Sequence, residues 1–197
     1  MPTANMVQID SHALATLRYI RKSMDAATSV AVPEASGIAM GCVGLAAMTL
    51  SFIPRTQPHW VSIWLLAAVV AAGLGGALLA RPSPPRGLTP LGVHFRKFAL
   101  CLFPSLFAGA VLTAVLWYSG QQRALPGTWL LLYGCGLMTV SIVTVSMIAA
   151  MGGLFIAIGL LAFLVPAPYQ ILLLGLGFGG LHIVFGILIG RTHESET

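Results

Sequence analysis

"WLLLYGCGLMTVSIVTVSMIAAMGGLFIAIGLLAFLV", residues 129–165, carries no charged side chain. As one helix it would be about 55 Å long at 1.5 Å per residue, nearly twice the roughly 30 Å hydrocarbon core of a bilayer. The run must therefore fold back. The sequence places the reversal at "AAMGG" (149–153), where Gly152 and Gly153 permit a tight turn. That reading gives spans over residues 129–148 and 152–165, the second closed by "PAP" at 166–168. A re-entrant hairpin is the alternative.

Working outward, apolar runs of spanning length cover residues 36–53, 60–80, 98–118 and 169–190. The chain has 197 residues, 57% hydrophobic and only 8% charged, against about a quarter charged in a soluble domain. The expected fold is all-α: a polytopic transmembrane bundle of six spans. Residues 1–35 form a cytoplasmic N-terminal segment, 36–190 the transmembrane domain and 191–197 a cytoplasmic tail. Pro104 is expected to kink the third span.

The charges sort by side. With both termini inside, Arg18, Arg21, Lys22, Arg81, Arg86, Arg96, Lys97 and Arg191 are cytoplasmic, and only Arg55 and Arg123 are outside. Trp60, Trp64, Trp117 and Trp129, with Tyr118 and Tyr169, fall at or near the outer interface, and Tyr133 reads as part of the same aromatic belt. A net charge of +5 would suit nucleic acid, but basic residues that flank apolar runs argue for the lipid bilayer as partner instead. Residues 10–27 place Leu14, Leu17, Ile20, Met24 and Ala27 on one helical face, with Arg18, Arg21 and Lys22 largely off it. This predicts an interfacial amphipathic helix. Arg96 and Lys97 end a proline-rich basic linker, 81–97, that adds to the membrane-surface charge. No clean signal-peptide core precedes the first span.

Small residues recur at helical spacing: Gly37 and Gly41; Ala68, Ala72, Gly76 and Ala80; Gly175, Gly179, Gly186 and Gly190. Such stripes let helix backbones approach closely, within one chain or against a second copy or another membrane protein. His182 lies on the stripe of the sixth span, facing another helix. It needs a hydrogen-bond partner there, and Thr139, Ser141 and Thr144 lead the candidates, with Ser146, Thr113 and Ser51 also available. An ionisable residue in a membrane is also a default site for a ligand or a proton.

The segments "PGTWLLLYG" (126–134), "KFAL" (97–100), "GFGGLHIVFG" (177–186) and "LRYIRKSM" (17–24) resemble a family of small bacterial polytopic membrane proteins of unassigned activity. The resemblance implies six spans and the bacterial cytoplasmic membrane. The family's members look like neighbours of winged-helix regulators, which implies a regulatory setting.

Catalytic patterns are not visible: there is no H-E-x-x-H, aspartate pair or G-x-S-x-G. Cys42, Cys101 and Cys135 are far apart inside apolar runs and read as packing residues. No metal or cofactor is expected. Haem held by two histidines is disfavoured, since one histidine alone lies within a span; ligation by His182 with Met138 or Met147 has little support. The sequence thus points to a non-enzymatic membrane protein, a sensor, accessory or assembly subunit that works through helix–helix contacts. The alternative is a transporter or channel for a small neutral solute, with its pathway near His182.

Overall fold

The computed structural model describes residues 16–17, 33–79, 91–144 and 146–194, with backbone alone at 91–95 and 192–194. The amphipathic segment 10–27, apart from helical Thr16 and Leu17, lies outside the described residues, and with it Arg18, Arg21 and Lys22. Among the described residues every regular element is a helix. They are α1 (Glu34–Phe52), α2 (Trp60–Leu79), α3 (Leu91–Tyr118), α4 (Leu125–Val140), α5 (Ser146–Leu164), α6 (Ala167–Leu174) and α7 (His182–Glu194). A π-helical stretch, Gly175–Leu181, joins α6 to α7. Short 3₁₀ turns at Gln57–His59, Gln122–Ala124 and Ser141–Val143 extend the neighbouring helices. Six helical stretches are long and apolar enough to cross a membrane: Glu34–Phe52, Gln57–Leu79, Arg96–Tyr118, Gln122–Val143, Ser146–Leu164 and Ala167–Arg191. The architecture is an all-α helical bundle.

The decisive run does fold back, but not at its glycines. The reversal lies between Ser141 and Ser146, where a 3₁₀ turn gives way to extended backbone at Thr144. Hydroxyls make this break tolerable. Ser141 Oγ donates to the Met138 carbonyl (2.6 Å) and Thr144 Oγ1 to the Val140 carbonyl (3.0 Å), covering acceptors at the end of α4. Gly152 and Gly153 sit inside α5 instead. Gly152 meets Gly134 of α4, so that these helices pack backbone to backbone. The two stretches are 22 and 19 residues long, each sufficient for a full crossing.

The other reversal, at 166–168, is tied by a residue with no obvious sequence signal. Gln170 is buried and its Nε2 donates to the carbonyls of Ala162 (2.8 Å) and Val165 (3.4 Å). These are orphan acceptors at the C-terminus of α5. The linker is also shorter than the composition implied: α3 begins at Leu91, so that Arg96 and Lys97 ride on a helix, exposed. Pro104 lies within α3, exposed, and does not end it.

The core runs along α4, α5 and the sixth span, through Leu130, Leu137, Val140, Met151, Phe155 and Leu174. α1 packs against α2 on one side and the π stretch and α7 on the other. α3 attaches along α4. Leu102 and Ser105 fit over Gly136, and Trp129 Nε1 donates to Thr113 Oγ1 (2.8 Å), whose own hydroxyl donates to the Gly109 carbonyl (2.7 Å). No residue of its best spanning window is buried.

The two adjacent glycines of α5 provide a test. A Cβ on Gly152 would stand 2.9 Å from the Gly134 carbonyl oxygen and 3.0 Å from the Met138 nitrogen, whereas one on Gly153 meets nothing within 4 Å. Gly152→Val should destabilise the purified protein by about 1–3 kcal/mol. Gly153→Ala should leave stability unchanged or raise it by up to about 1 kcal/mol through helix propensity. Equal effects in a thermal melt would contradict this α4–α5 interface.

Candidate functional site

The π stretch reads "GLGFGGL". A π-turn accommodates an extra residue within a helix and occurs frequently at functional sites. Here four glycines keep the widened backbone thin enough for neighbours to reach it. A side chain at Gly177 would meet Leu130 and Phe155, and one at Gly179 would meet Leu45. From the other side, α1 presents Gly37, Gly41 and Gly44. A Cβ on these would strike the His182 carbonyl and Gly186 Cα (both 2.9 Å), the Gly179 carbonyl (2.7 Å) and the Phe178 backbone (2.6 Å), respectively.

His182, the first residue after this stretch, is 5% exposed. Its Nε2 is 2.8 Å from Tyr133 Oη of α4. Aromatic rings surround the pair. The imidazole centroid lies 5.4 Å from Tyr133, 5.6 Å from Phe155 and 6.3 Å from Phe178. The imidazole also approaches the carbonyls of Gly177 and Phe178, one helical turn back, although Nδ1 closes no complete hydrogen bond. With Tyr133 Oη at Nε2 and backbone carbonyls near the ring, the proton is assigned to Nδ1. Nε2 is then the acceptor and the Tyr133 hydroxyl the donor.

Phe178 extends the cluster. Its ring lies 5.1 Å from Tyr133, 5.3 Å from Phe155 and 6.0 Å from Trp64 of α2. Trp64 is 4% exposed and its Nε1 has no hydrogen-bond partner. One turn away on α2, Trp60 packs on Trp129 of α4 at 6.1 Å.

These contacts revise several expectations. Thr139, Ser141 and Thr144 do not reach His182. Thr139 donates to Cys135 O (3.1 Å), and the other two serve the end of α4 as described. A hydroxyl in a helix without water nearby turns to its own i−3 or i−4 carbonyl. Thr113 does the same to Gly109, and Ser51 to Ala47 (2.7 Å). The partner is Tyr133, which the sequence assigned to the interfacial belt, and Trp64 likewise belongs to the interior. A usable signal existed: Tyr118 and Tyr169 sit at span ends, leaving Tyr133 as the phenol deepest within a span.

The packing stripes also differ in part. Gly37, Gly41, Gly175, Gly179 and Gly186 all lie where α1 meets the sixth span. Ala72 is exposed, as is Ala68, and Gly76 is half-buried. The buried small residue of α2 is Gly75, which faces Met40. A helix with this one close approach needs no long stripe. Arg96, Lys97 and Arg191 are exposed at helix ends. Cys42, Cys101 and Cys135 are unpaired, and no cluster of three metal-ligating side chains occurs among the described residues.

The arrangement therefore offers N–H donors and one phenol–imidazole pair within an aromatic enclosure. It can position a neutral group by hydrogen bonding. No protein-family model, curated protein or solved structure matches the chain.

Replacing Tyr133 should reveal the pair. Tyr133→Phe leaves Nε2 without a donor and should lower stability by about 0.6–1.7 kcal/mol, the range of such bonds in membranes. His182→Gln places a polar group where Nε2 stood and should retain most stability, whereas His182→Asn is too short to meet Tyr133. Thr139→Val should be neutral. Loss of stability in Thr139→Val with an unaffected Tyr133→Phe would reverse the assignment.

Proposed function

We propose that this chain is a non-enzymatic integral membrane protein of the bacterial cytoplasmic membrane. It acts as a sensor, accessory or assembly subunit through helix–helix contacts. The observation that carries this reading is α3. Its spanning segment, Arg96–Tyr118, contributes no buried residue to the bundle and turns Leu100, Phe103, Phe107, Val111 and Val115 outward. A helix that adds so little to its own core is free to present a lengthwise face to a neighbour in the bilayer. His182 supports the same reading, because Tyr133 already occupies its Nε2. Among the described residues the one carboxylate within a span, Glu34, stands at the first residue of its helix, whereas ion-coupled carriers place charge at mid-depth.

The orientation proposed has both ends of the chain inside. Arg96, Lys97 and Arg191 then face the cytoplasm, with Arg55 and Arg123 outside. A second reading, a carrier of a small neutral solute, draws on the unpartnered N–H groups of Trp64 and His182.

Reconstituted alone in liposomes, the chain should give no flux of small neutral solutes above that of empty vesicles. Flux that His182→Gln abolishes would replace the subunit reading with the carrier. Cysteines introduced at Gln57 and Gln121 should react with an impermeant reagent in intact cells, and one at Ser83 should not. Strong labelling at position 83 would overturn the orientation.

A further inference from the structure

Two buried N–H groups sit on rings that flank one residue, and neither closes a full hydrogen bond. Trp64 Nε1 and His182 Nδ1 lack hydrogen-bond partners, their residues are 4% and 5% exposed, and both rings contact Phe178. A buried donor left unmade costs about 1–3 kcal/mol, and hydrocarbon supplies no water to relieve it. Native proteins keep such groups where they have a task. Phe178 is only half-buried, lies between Gly177 and Gly179, and belongs to a π stretch. It is the ring that lies against both Trp64 and His182.

The walls of the space are aromatic. Trp60 and Trp64 share a face of α2, and Trp129 and Tyr133 share a face of α4, four residues apart in each case. The two faces are joined by Trp60 on Trp129 and, through Phe178, by Trp64 and Tyr133. Trp60, Trp129, Tyr133 and Phe178 are all half-buried, so that the seam runs as partly open rings from the start of α2 to His182.

The chemistry of a ligand follows from these walls. It arrives through the bilayer, because the seam lies within spanning helices. It is flat, to pack between aromatic faces. It is neutral, because no charged side chain of the described residues stands in the cluster. It accepts hydrogen bonds, because the unused groups are donors, while Nε2 and the Tyr133 hydroxyl satisfy each other. We propose that the seam between α2 and α4 is a binding site for a lipid-soluble quinone, whose ring replaces Phe178 and whose carbonyl oxygens accept from Trp64 Nε1–H and His182 Nδ1–H. The site stands independently of the subunit reading. The oxidised ring binds more tightly than the hydroquinone, which trades carbonyl acceptors for hydroxyls that need acceptors of their own.

The test is a titration of the full chain in nanodiscs with decylubiquinone, followed by tryptophan fluorescence. Saturable quenching is expected. Decylubiquinol should compete weakly, and decylbenzene, similar in tail and ring but without carbonyls, should not compete. Trp64→Phe and His182→Gln should each weaken binding about tenfold, the loss of one good hydrogen bond. His182→Gln keeps the Tyr133 contact, so its thermal stability should hold while affinity falls. Trp117→Phe, at an exposed position of α3, should bind as the parent does. Non-saturable quenching, effective competition by decylbenzene or unchanged affinity in both donor variants would overturn the proposal. If Trp64→Phe fails to fold, the decylbenzene comparison on the unsubstituted chain decides it.

Discussion

An imidazole placed among hydrocarbon has no water to bond with, so a neighbouring helix must supply its partner. In this protein Tyr133 does so, and much of the bundle is arranged around that bond. To bring the two together, α4 and the sixth span must lie close, and Gly177 allows it by leaving room for Leu130 and Phe155. The π-turn just before His182 brings the backbone carbonyls of Gly177 and Phe178 near the ring. The aromatic enclosure then completes the packing with ring contacts that tolerate the polar pair at their centre.

Close backbone approach is the second theme, and it stems from the same solvent. Lipid gives apolar helices no reason to prefer one another, so contact quality must come from shape. Two sets of glycines provide it. Gly37, Gly41 and Gly44 seat α1 on the sixth span, and Gly134 and Gly152 seat α4 on α5. α3 has a single such contact, at Gly136, together with the Trp129–Thr113 hydrogen bond. The bundle is therefore tightly built at its centre and loosely built at the edge that α3 forms.

The six apolar runs were legible because length and lack of charge are what a membrane-crossing helix requires. The small-residue faces of the first and sixth spans were legible from spacing, but spacing did not show that these two faces meet each other. The reversal within 129–165 was misread because glycine can serve a turn or a close contact, and pattern does not separate these uses. Here the β-branched residues 142–144 carry the turn with help from the Ser141 hydroxyl, and the glycines carry the contact. The partner of His182 was missed for a similar reason. Hydroxyls on helices satisfy themselves locally, which removed Thr139, Ser141 and Thr144, while Tyr133 and Trp64 looked like interfacial aromatics because each sits one turn inside a tryptophan. Gln170 gave no periodic signal; its role depends on a turn geometry that emerges only when α5 and α6 are paired.

His182 is held with Nε2 accepting from the Tyr133 hydroxyl. Nitrogen-15 NMR of histidine-labelled protein in nanodiscs tests it most directly, with the His182 resonances identified by their loss in His182→Gln. A neutral ring with protonated Nδ1 and unprotonated Nε2 is expected, with an Nε2 resonance that moves in Tyr133→Phe. A ring protonated at Nε2, or resonances indifferent to Tyr133→Phe, would contradict it.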